Sequence, residues 1–220
     1  MKKIVVITTL AALCAGVAHA RDPLAPVDTP DTCFNCSALI DPAPSAYGSV
    51  ALRAGVTIYD ARFRRVAKTD ARAPAVMEAA RALRGLSPDA QLRRAHEIVR
   101  ARVQYMSDPD SMKVSDLWAN AGETLDAGHG DDEDLAIAEM QVLKAAGFNP
   151  DDLFLTVGKS TSAGAHIVLL ARTADGYKML DQLLPEPVDA DVRSASFKPV
   201  VSIGTSGSWV HGYRTAALSR

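Results

Sequence analysis

Four consecutive acids, preceded by a glycine and followed by an apolar helical pattern, are the residues of this sequence best suited to chemistry. They run from Asp131 to Asp134, after Gly130 and before Leu135. Carboxylate oxygens clustered on a turn are the ligands that calcium prefers in proteins. Acids at a helix start are also stabilised by the helix dipole, by about 0.3 to 1 kcal/mol each when exposed. An active-site corner and an unusually acidic helix start are both open, although four acids exceed what capping requires.

The four acids 131–134 are called the acidic corner below. His166 and Asp181 follow it in the sequence and can complete a site with it. An imidazolium beside a helix N-terminus favours an anionic side chain there, and a carboxylate on the other side of the ring orients it. The turn signal Asp175-Gly176 predicts a β-hairpin in which Asp181 faces a residue near 170, or one closer to His166 if the loop is wider. The hairpin alone therefore does not establish a contact between Asp181 and His166.

A buried helix from about 132 to 146 is predicted to carry the acidic corner at its start. Its apolar residues recur at intervals of three and four, and Gly147 provides a C-terminal stop. Two helices are predicted upstream, over 74–83 and from the N-cap Ser87 to about 103. The segment 114–125 predicts a shaped loop or short helix that leads to the corner.

The sequence after Pro150 changes to β-rich segments separated by turns that contain Gly and Ser. Strands are predicted over 153–157, 166–171 and 177–181, with a further one at 200–203. Helices first and an antiparallel sheet second predict an α+β domain.

Taken in order, these residues resemble the bacterial transglutaminase-like cysteine proteinases, whose LapG-type members are periplasmic, calcium-dependent proteases. The resemblance runs from about Val99 to Trp209. Its markers are Leu117-Trp118-Ala119 with Glu123-Thr124-Leu125, Gly130-Asp131-Asp132-Glu133-Asp134, Ala165-His166-Ile167-Val168-Leu169, Leu180-Asp181-Gln182-Leu183 and the segment from Pro199 to Trp209. The resemblance implies a papain-like or transglutaminase-like domain, with N-terminal helices packed on an antiparallel sheet and catalytic positions at 132, 166 and 181.

Asp132 stands where this family has its nucleophilic cysteine. A carboxylate that attacks an amide must form a high-energy mixed anhydride, so thiol peptidase chemistry is closed to this residue. The resemblance then implies an inactive relative, a calcium-linked protein-binding or regulatory module. The alternative is an active periplasmic hydrolase or peptidase that uses His166 and Asp181, with Asp132 or a water in a non-thiol route. A structural periplasmic protein that only retains the scaffold is the third possibility.

Further site residues follow from the same comparison. The family links the acids before and after the cysteine to calcium, which here are Asp131 and Glu133, and Asp134 offers a further carboxylate. Gln104 and Trp118 are candidate donors to an oxyanion, with core packing as the alternative for Trp118. The expected partner is a protein or peptide, such as a cell-surface or periplasmic protein.

The first 20 residues predict a secretory signal. Lys2-Lys3 precede an apolar run from Ile4 to Val17, and Ala18-His19-Ala20 predicts cleavage after Ala20. The run is too short to span a bilayer comfortably, so no membrane span is expected after cleavage. The predicted location is the periplasm or the exterior of the cell.

Residues 21–46 are rich in proline and predict an extended arm before a domain over 47–215. Cys33 and Cys36 in this arm predict a disulfide-closed loop in an exported protein, with a redox or metal pair as the alternatives. The net charge of −2 and the isoelectric point of about 6.2 provide no basic surplus for nucleic acid.

Overall fold

The computed structural model describes residues 43–67, 73–106 and 118–214. In these ranges the chain forms five α-helices: α1 Asp60–Ala67, α2 Pro74–Arg81, α3 Pro88–Arg102, α4 Ala121–Ala127 and α5 Asp132–Ala146. The same ranges form nine β-strands: β1 Val50–Ala54, β2 Gln104–Tyr105, β3 His129–Gly130, β4 Leu153–Ser160, β5 Gly164–Thr173, β6 Gly176–Leu180, β7 Val188–Asp189, β8 Phe197–Gly204 and β9 Gly207–Gly212. The predicted signal and the pair Cys33 and Cys36 lie outside the described residues.

Seven strands form one antiparallel sheet in the order β1-β9-β8-β4-β5-β6-β7. The helices α2, α3, α4 and α5 precede its main strands, so the predicted α+β class is confirmed. One strand departs from the predicted order of helices first and sheet second: β1 precedes the helices and pairs with β9 at the sheet edge. β2 and β3 form a separate parallel pair.

Helix α5 is the centre of the fold and occupies the predicted bounds. Every position from Leu135 to Leu143 is buried, since α2, α3 and α4 surround the helix and β4 and β5 lie along it. Asp131 caps its N-terminus, and Gly147 ends it in the left-handed conformation at a φ of 98°. The apolar periodicity of the sequence thus produces a helix that is buried on nearly all sides.

Both faces of the sheet are covered. The helices cover one face, and a second apolar cluster covers the other with Tyr47, Phe154, Phe197 and Trp209. Ala46 and Tyr47 are fully buried in this cluster, so close packing already includes the end of the segment predicted as an arm.

The β5–β6 hairpin differs from its predicted register. Thr173 pairs with Gly176 and Leu169 with Leu180, so the loop consists of residues 174–175 and Asp181 lies opposite 168. The pairing thus differs by two residues from the predicted one near 170 and agrees with the alternative closer to His166, although the loop is not wider, because Gly176 begins β6 instead of sitting inside the turn. The shift brings Asp181 closer to His166.

Within the described ranges no helix combines the length and apolarity that a membrane crossing requires.

Candidate site at the start of helix α5

Local hydrogen bonds fix the chain segment that enters the acidic corner. Helix α4 begins with a capping box, in which the N–H of Glu123 donates to Asn120 Oδ1 (3.1 Å) and the N–H of Asn120 donates to Glu123 Oε2 (2.8 Å). Gly128 ends α4 in the left-handed conformation, at a φ of 72°. Strand β3 then pairs with β2, so the chain reaches Asp131 in a defined direction.

Gly130 lies where a side chain has no room. A Cβ at this position would lie 2.9 Å from Cβ of Asp134. Asp134 is held in turn by two hydrogen bonds: its Oδ1 accepts the N–H of Ala119 (2.7 Å), and its own N–H donates to Asp131 Oδ1 (3.4 Å). The glycine thus permits the close approach that forms the corner.

Asp132, His166 and Asp181 converge at hydrogen-bonding distance. His166 Nδ1 lies 3.0 Å from Asp132 Oδ2, and His166 Nε2 lies 2.8 Å from Asp181 Oδ1. The side chain of His166 is 2% exposed, that of Asp181 4% and that of Asp132 18%. Asp132 Oδ2 also accepts the N–H of Ile167 (2.6 Å). Helix α5, strand β5 and the turn after β6 therefore each contribute one side chain to the same point.

The hydrogen bonds of His166 determine its charge. Both ring nitrogens face carboxylate oxygens, so both donate when the ring is an imidazolium. Burial by itself lowers the pKa of His166, but hydrogen bonds to Asp132 and Asp181 and their negative charge raise it to about 9. Burial likewise favours protonation of Asp132, whereas the hydrogen bonds from His166 and Ile167 outweigh it and lower the pKa of this carboxyl. At neutral pH the three residues form a carboxylate–imidazolium–carboxylate group.

Carboxylate oxygens of Asp131, Asp132 and Glu133 lie within 4.8 Å of one another, and all three residues are half-buried. Burial, followed by the negative charge of Asp134, raises the pKa of Asp131 to about 6. Concentrated negative charge on hard oxygen donors is the environment that calcium requires, so the donor set fits this ion. The group contains Asp132 and not the predicted Asp134, whose Oδ1 accepts the N–H of Ala119. A ligand role for Asp134 stays a prediction.

The two oxyanion candidates occupy different environments. Gln104 is exposed on β2 and lines a cavity of about 210 Å³ together with Tyr105, Leu135 and Gln182, beside Asp181. Trp118 is 1% exposed and stacks on Tyr59, with ring centroids 6.0 Å apart. Its Nε1 is buried and has no hydrogen-bond partner in the described part of the chain. The packing of Trp118 is that of a core residue, and the oxyanion role of either side chain stays a prediction.

The structure contains a second histidine–acid pair that was not predicted from the sequence. His96 on α3 and Glu139 on α5 are both completely buried, with Nδ1 and Oε1 2.6 Å apart. Each is a polar residue inside an apolar stripe: His96 lies four residues after Leu92 and three before Val99, and Glu139 lies four residues after Leu135 and three before Val142. That interruption of both stripes is the signal that predicts a buried pair.

Comparisons with known proteins give a matching family and similar solved structures. The bacterial transglutaminase-like cysteine proteinases (BTLCP) match the sequence over residues 63–211. Calcium-bound LapG of Legionella pneumophila is similar in structure, with a TM-score of 0.57 and 25% identity, covering 73% of this chain and 92% of that one. EGTA-treated LapG of the same organism has a TM-score of 0.57 and 26% identity, covering 74% of this chain and 90% of that one. No curated protein sequence matches the chain.

Proposed function

Because the chain belongs to the bacterial transglutaminase-like cysteine proteinase family, we propose that it is a periplasmic member in which Asp132 takes the place of the nucleophilic cysteine. In this proposal the protein does not cleave peptides. It acts as a calcium-linked module that binds or regulates a protein or peptide, such as a cell-surface or periplasmic protein.

The contact between Asp132 and His166 carries this proposal. Residue 132 lies at the N-terminus of α5, 3.0 Å from His166 Nδ1, where a nucleophile would be activated by the imidazole and the helix dipole. Aspartate supplies a carboxylate at this point, and its attack on an amide leads to a mixed anhydride. Asp132 Oδ2 is also engaged by the N–H of Ile167, which further weakens it as a nucleophile. The arrangement supports a site that keeps the charge pattern of a thiolate–imidazolium pair without its reactivity.

Hydrolysis by general-base catalysis, the alternative function, agrees less well with the protonation states. A general base needs a free lone pair at the working pH. His166 has a pKa of about 9, because its hydrogen bonds to the two carboxylates outweigh the effect of burial, and it is therefore protonated at neutral pH. Asp132 has a lowered pKa and is correspondingly a weak base. A base-catalysed route would thus require alkaline conditions.

The calcium part of the proposal is supported by the group of Asp131, Asp132 and Glu133. Calcium takes six to eight oxygen ligands, so backbone oxygens or water would complete the set. The bound ion would neutralise carboxylates that are half-buried and mutually repulsive. The similarity to LapG of Legionella pneumophila, of which one structure is described as calcium-bound, adds to this support.

Isothermal titration with calcium tests the metal component. We expect binding by the natural chain and its loss in Asp131→Asn/Glu133→Gln, which removes two charges but keeps the side-chain sizes. The matched control is Asp126→Asn/Asp175→Asn, since it removes two exposed charges outside the group. Absence of binding in the natural chain, or equal loss in the control, would contradict the proposed calcium site.

Peptidase assays on the natural chain and on Asp132→Cys test the catalytic component. We expect no cleavage by the natural chain at neutral pH, and Asp132→Ser serves as the control for a changed but non-thiol side chain. Cleavage by the natural chain would overturn the inactive assignment. Cleavage only by Asp132→Cys would support a scaffold that is otherwise intact.

The periplasmic location rests on the predicted signal over residues 1–20. N-terminal sequencing of the exported protein should begin at Arg21. Retention of residues 1–20 on the mature protein would contradict this part of the proposal.

A further inference from the structure

The second histidine–acid pair is fixed by hydrogen bonds on both ring nitrogens of His96. His96 Nδ1 lies 2.6 Å from Glu139 Oε1, and His96 Nε2 lies 3.0 Å from the carbonyl oxygen of Leu184. A carbonyl oxygen only accepts, so Nε2 carries a proton, and the carboxylate takes a hydrogen bond from Nδ1. Burial alone lowers the pKa of His96, but the hydrogen bond and charge of Glu139 raise it above its usual value. The contact with Glu139 therefore favours the protonated form of His96.

This pair binds the turn that follows β6. Glu139 Oε1 also accepts a hydrogen bond from Gln182 Nε2 (2.7 Å), and His96 Nε2 donates to Leu184. Arg100, one helical turn after His96, donates to the carbonyl oxygen of Gln182 (3.0 Å). Residues 182–184 are thus held by α3 and α5 at three points.

The same turn carries Asp181. The N–H of Leu183 donates to Asp181 Oδ1 (2.9 Å), and the N–H of Leu184 donates to the backbone carbonyl oxygen of Asp181 (2.8 Å). Asp181 Oδ1 is also the atom that contacts His166 Nε2. The position of the 182–184 backbone therefore sets the direction of the carboxylate that faces His166.

We propose that His96 and Glu139 are positioning residues of the Asp132–His166–Asp181 group, holding the 181–184 turn so that the Asp181 carboxylate meets His166. The inference rests on the site described under the proposed function, but not on calcium binding or catalysis. Asp132 and Glu139 are seven residues apart, about two turns of α5, and so share one helix face. One rigid helix thereby aligns both carboxylates, Asp132 directly and Asp181 through the turn.

The competing explanation is that His96 and Glu139 only stabilise the fold. The energetics of buried ion pairs distinguish this role from the positioning of Asp181. Replacement of a buried ion pair by well-packed apolar residues is often neutral or favourable for stability, because both charges lose their hydration on burial. The double variant His96→Phe/Glu139→Leu therefore removes two of the three tethers, leaving only that of Arg100, without a necessary loss of the fold.

The readout is the His166 Nε2–H proton resonance in nitrogen-labelled protein, assigned by its absence in Asp181→Ala. This proton is observable because the His166 side chain is only 2% exposed. In the double variant we expect loss of the resonance and roughly tenfold faster exchange of the Leu183 amide, with the thermal midpoint retained. The control Thr156→Val/Ser202→Ala removes two hydrogen bonds of the sheet, Thr156 Oγ1 to Ser202 Oγ (2.8 Å) and Ser202 Oγ to His211 Nε2 (2.8 Å), and should preserve both signals.

Persistence of the resonance in the folded double variant overturns the proposal. If that variant does not fold, Gln182→Met decides, since it removes the tether to Glu139 but leaves the buried pair intact. We then expect faster exchange of the Leu183 amide, and unchanged exchange with an unchanged His166 resonance overturns the proposal. The measurement needs neither calcium nor turnover, so its outcome is independent of whether the chain binds calcium.

Discussion

The stability of the folded chain should fall as the pH rises from 6.5 to 9, because His166 is held as an imidazolium. The folded-state pKa of His166 is raised to about 9, since its hydrogen bonds to Asp132 and Asp181 outweigh the opposite effect of burial. In the unfolded chain the ring titrates at its usual value of 6.5. The stabilisation is therefore fully present below pH 6.5 and is lost as the pH rises through about 9.

The size of this effect follows from the two pKa values. Each unit of difference between the two pKa values contributes about 1.4 kcal/mol to the free energy of unfolding, so the upper limit of this contribution is about 3 kcal/mol. Asp132 is 18% exposed, and water weakens its interaction with the imidazolium. We therefore expect a loss of about 1 to 2 kcal/mol from this group.

Two measurements check the prediction in the presence of a calcium chelator. Urea unfolding at a series of pH values gives the decline in unfolding free energy, and an NMR titration of the His166 ring gives its pKa directly. Asp132→Asn should lower this pKa and flatten the alkaline decline, whereas Asp126→Asn, which removes an exposed charge on α4, should change neither. A His166 pKa at or below 6.5, or an equal decline in the natural chain and Asp132→Asn, would refute the assigned imidazolium.

Two further predictions concern the sheet and the corner. His211 is held neutral, since burial lowers its pKa to about 4, so the unfolding free energy should fall by about 3 kcal/mol as the pH drops from 6.5 to 4. Urea unfolding of His211→Gln should lack that component, and identical acid profiles would contradict it. Gly130→Ala places a Cβ 2.9 Å from Cβ of Asp134, which should cost about 1 to 3 kcal/mol and weaken calcium binding. Gly55→Ala, with no atom within 4 Å of its Cβ, is the control for both readings, and equal stability of the two variants would show that the corner is not tightly packed.

The sequence predicted those parts of the fold whose signals are local. Helix α5 has its predicted bounds because its apolar spacing, acidic start and terminal Gly147 all lie within one short segment. Strand β1 was not predicted, since its partner β9 lies far along the chain and Leu52 on β1 is 58% exposed. Its pattern therefore has neither a neighbouring hairpin signal nor a clean apolar face.

The candidate site was predicted through ordered motifs, and its geometry required tertiary information. Asp132, His166 and Asp181 could be named from the sequence, but their contact depends on the β5–β6 register, which differs from the predicted one. The pair of His96 and Glu139 joins two helices through side chains alone. Periodicity along one helix carries no information about such a contact, although each polar residue interrupts an apolar stripe.

The location of Asp132 also bears on how such a protein can arise. The continuous buried part of α5 starts at Leu135, so residue 132 lies at the margin of the core and contributes little to its packing. An exchange of the side chain at this point can abolish a reaction while selection for the folded state is hardly affected. The fold can therefore accept different residues at position 132 and remain a stable domain on which other uses can evolve.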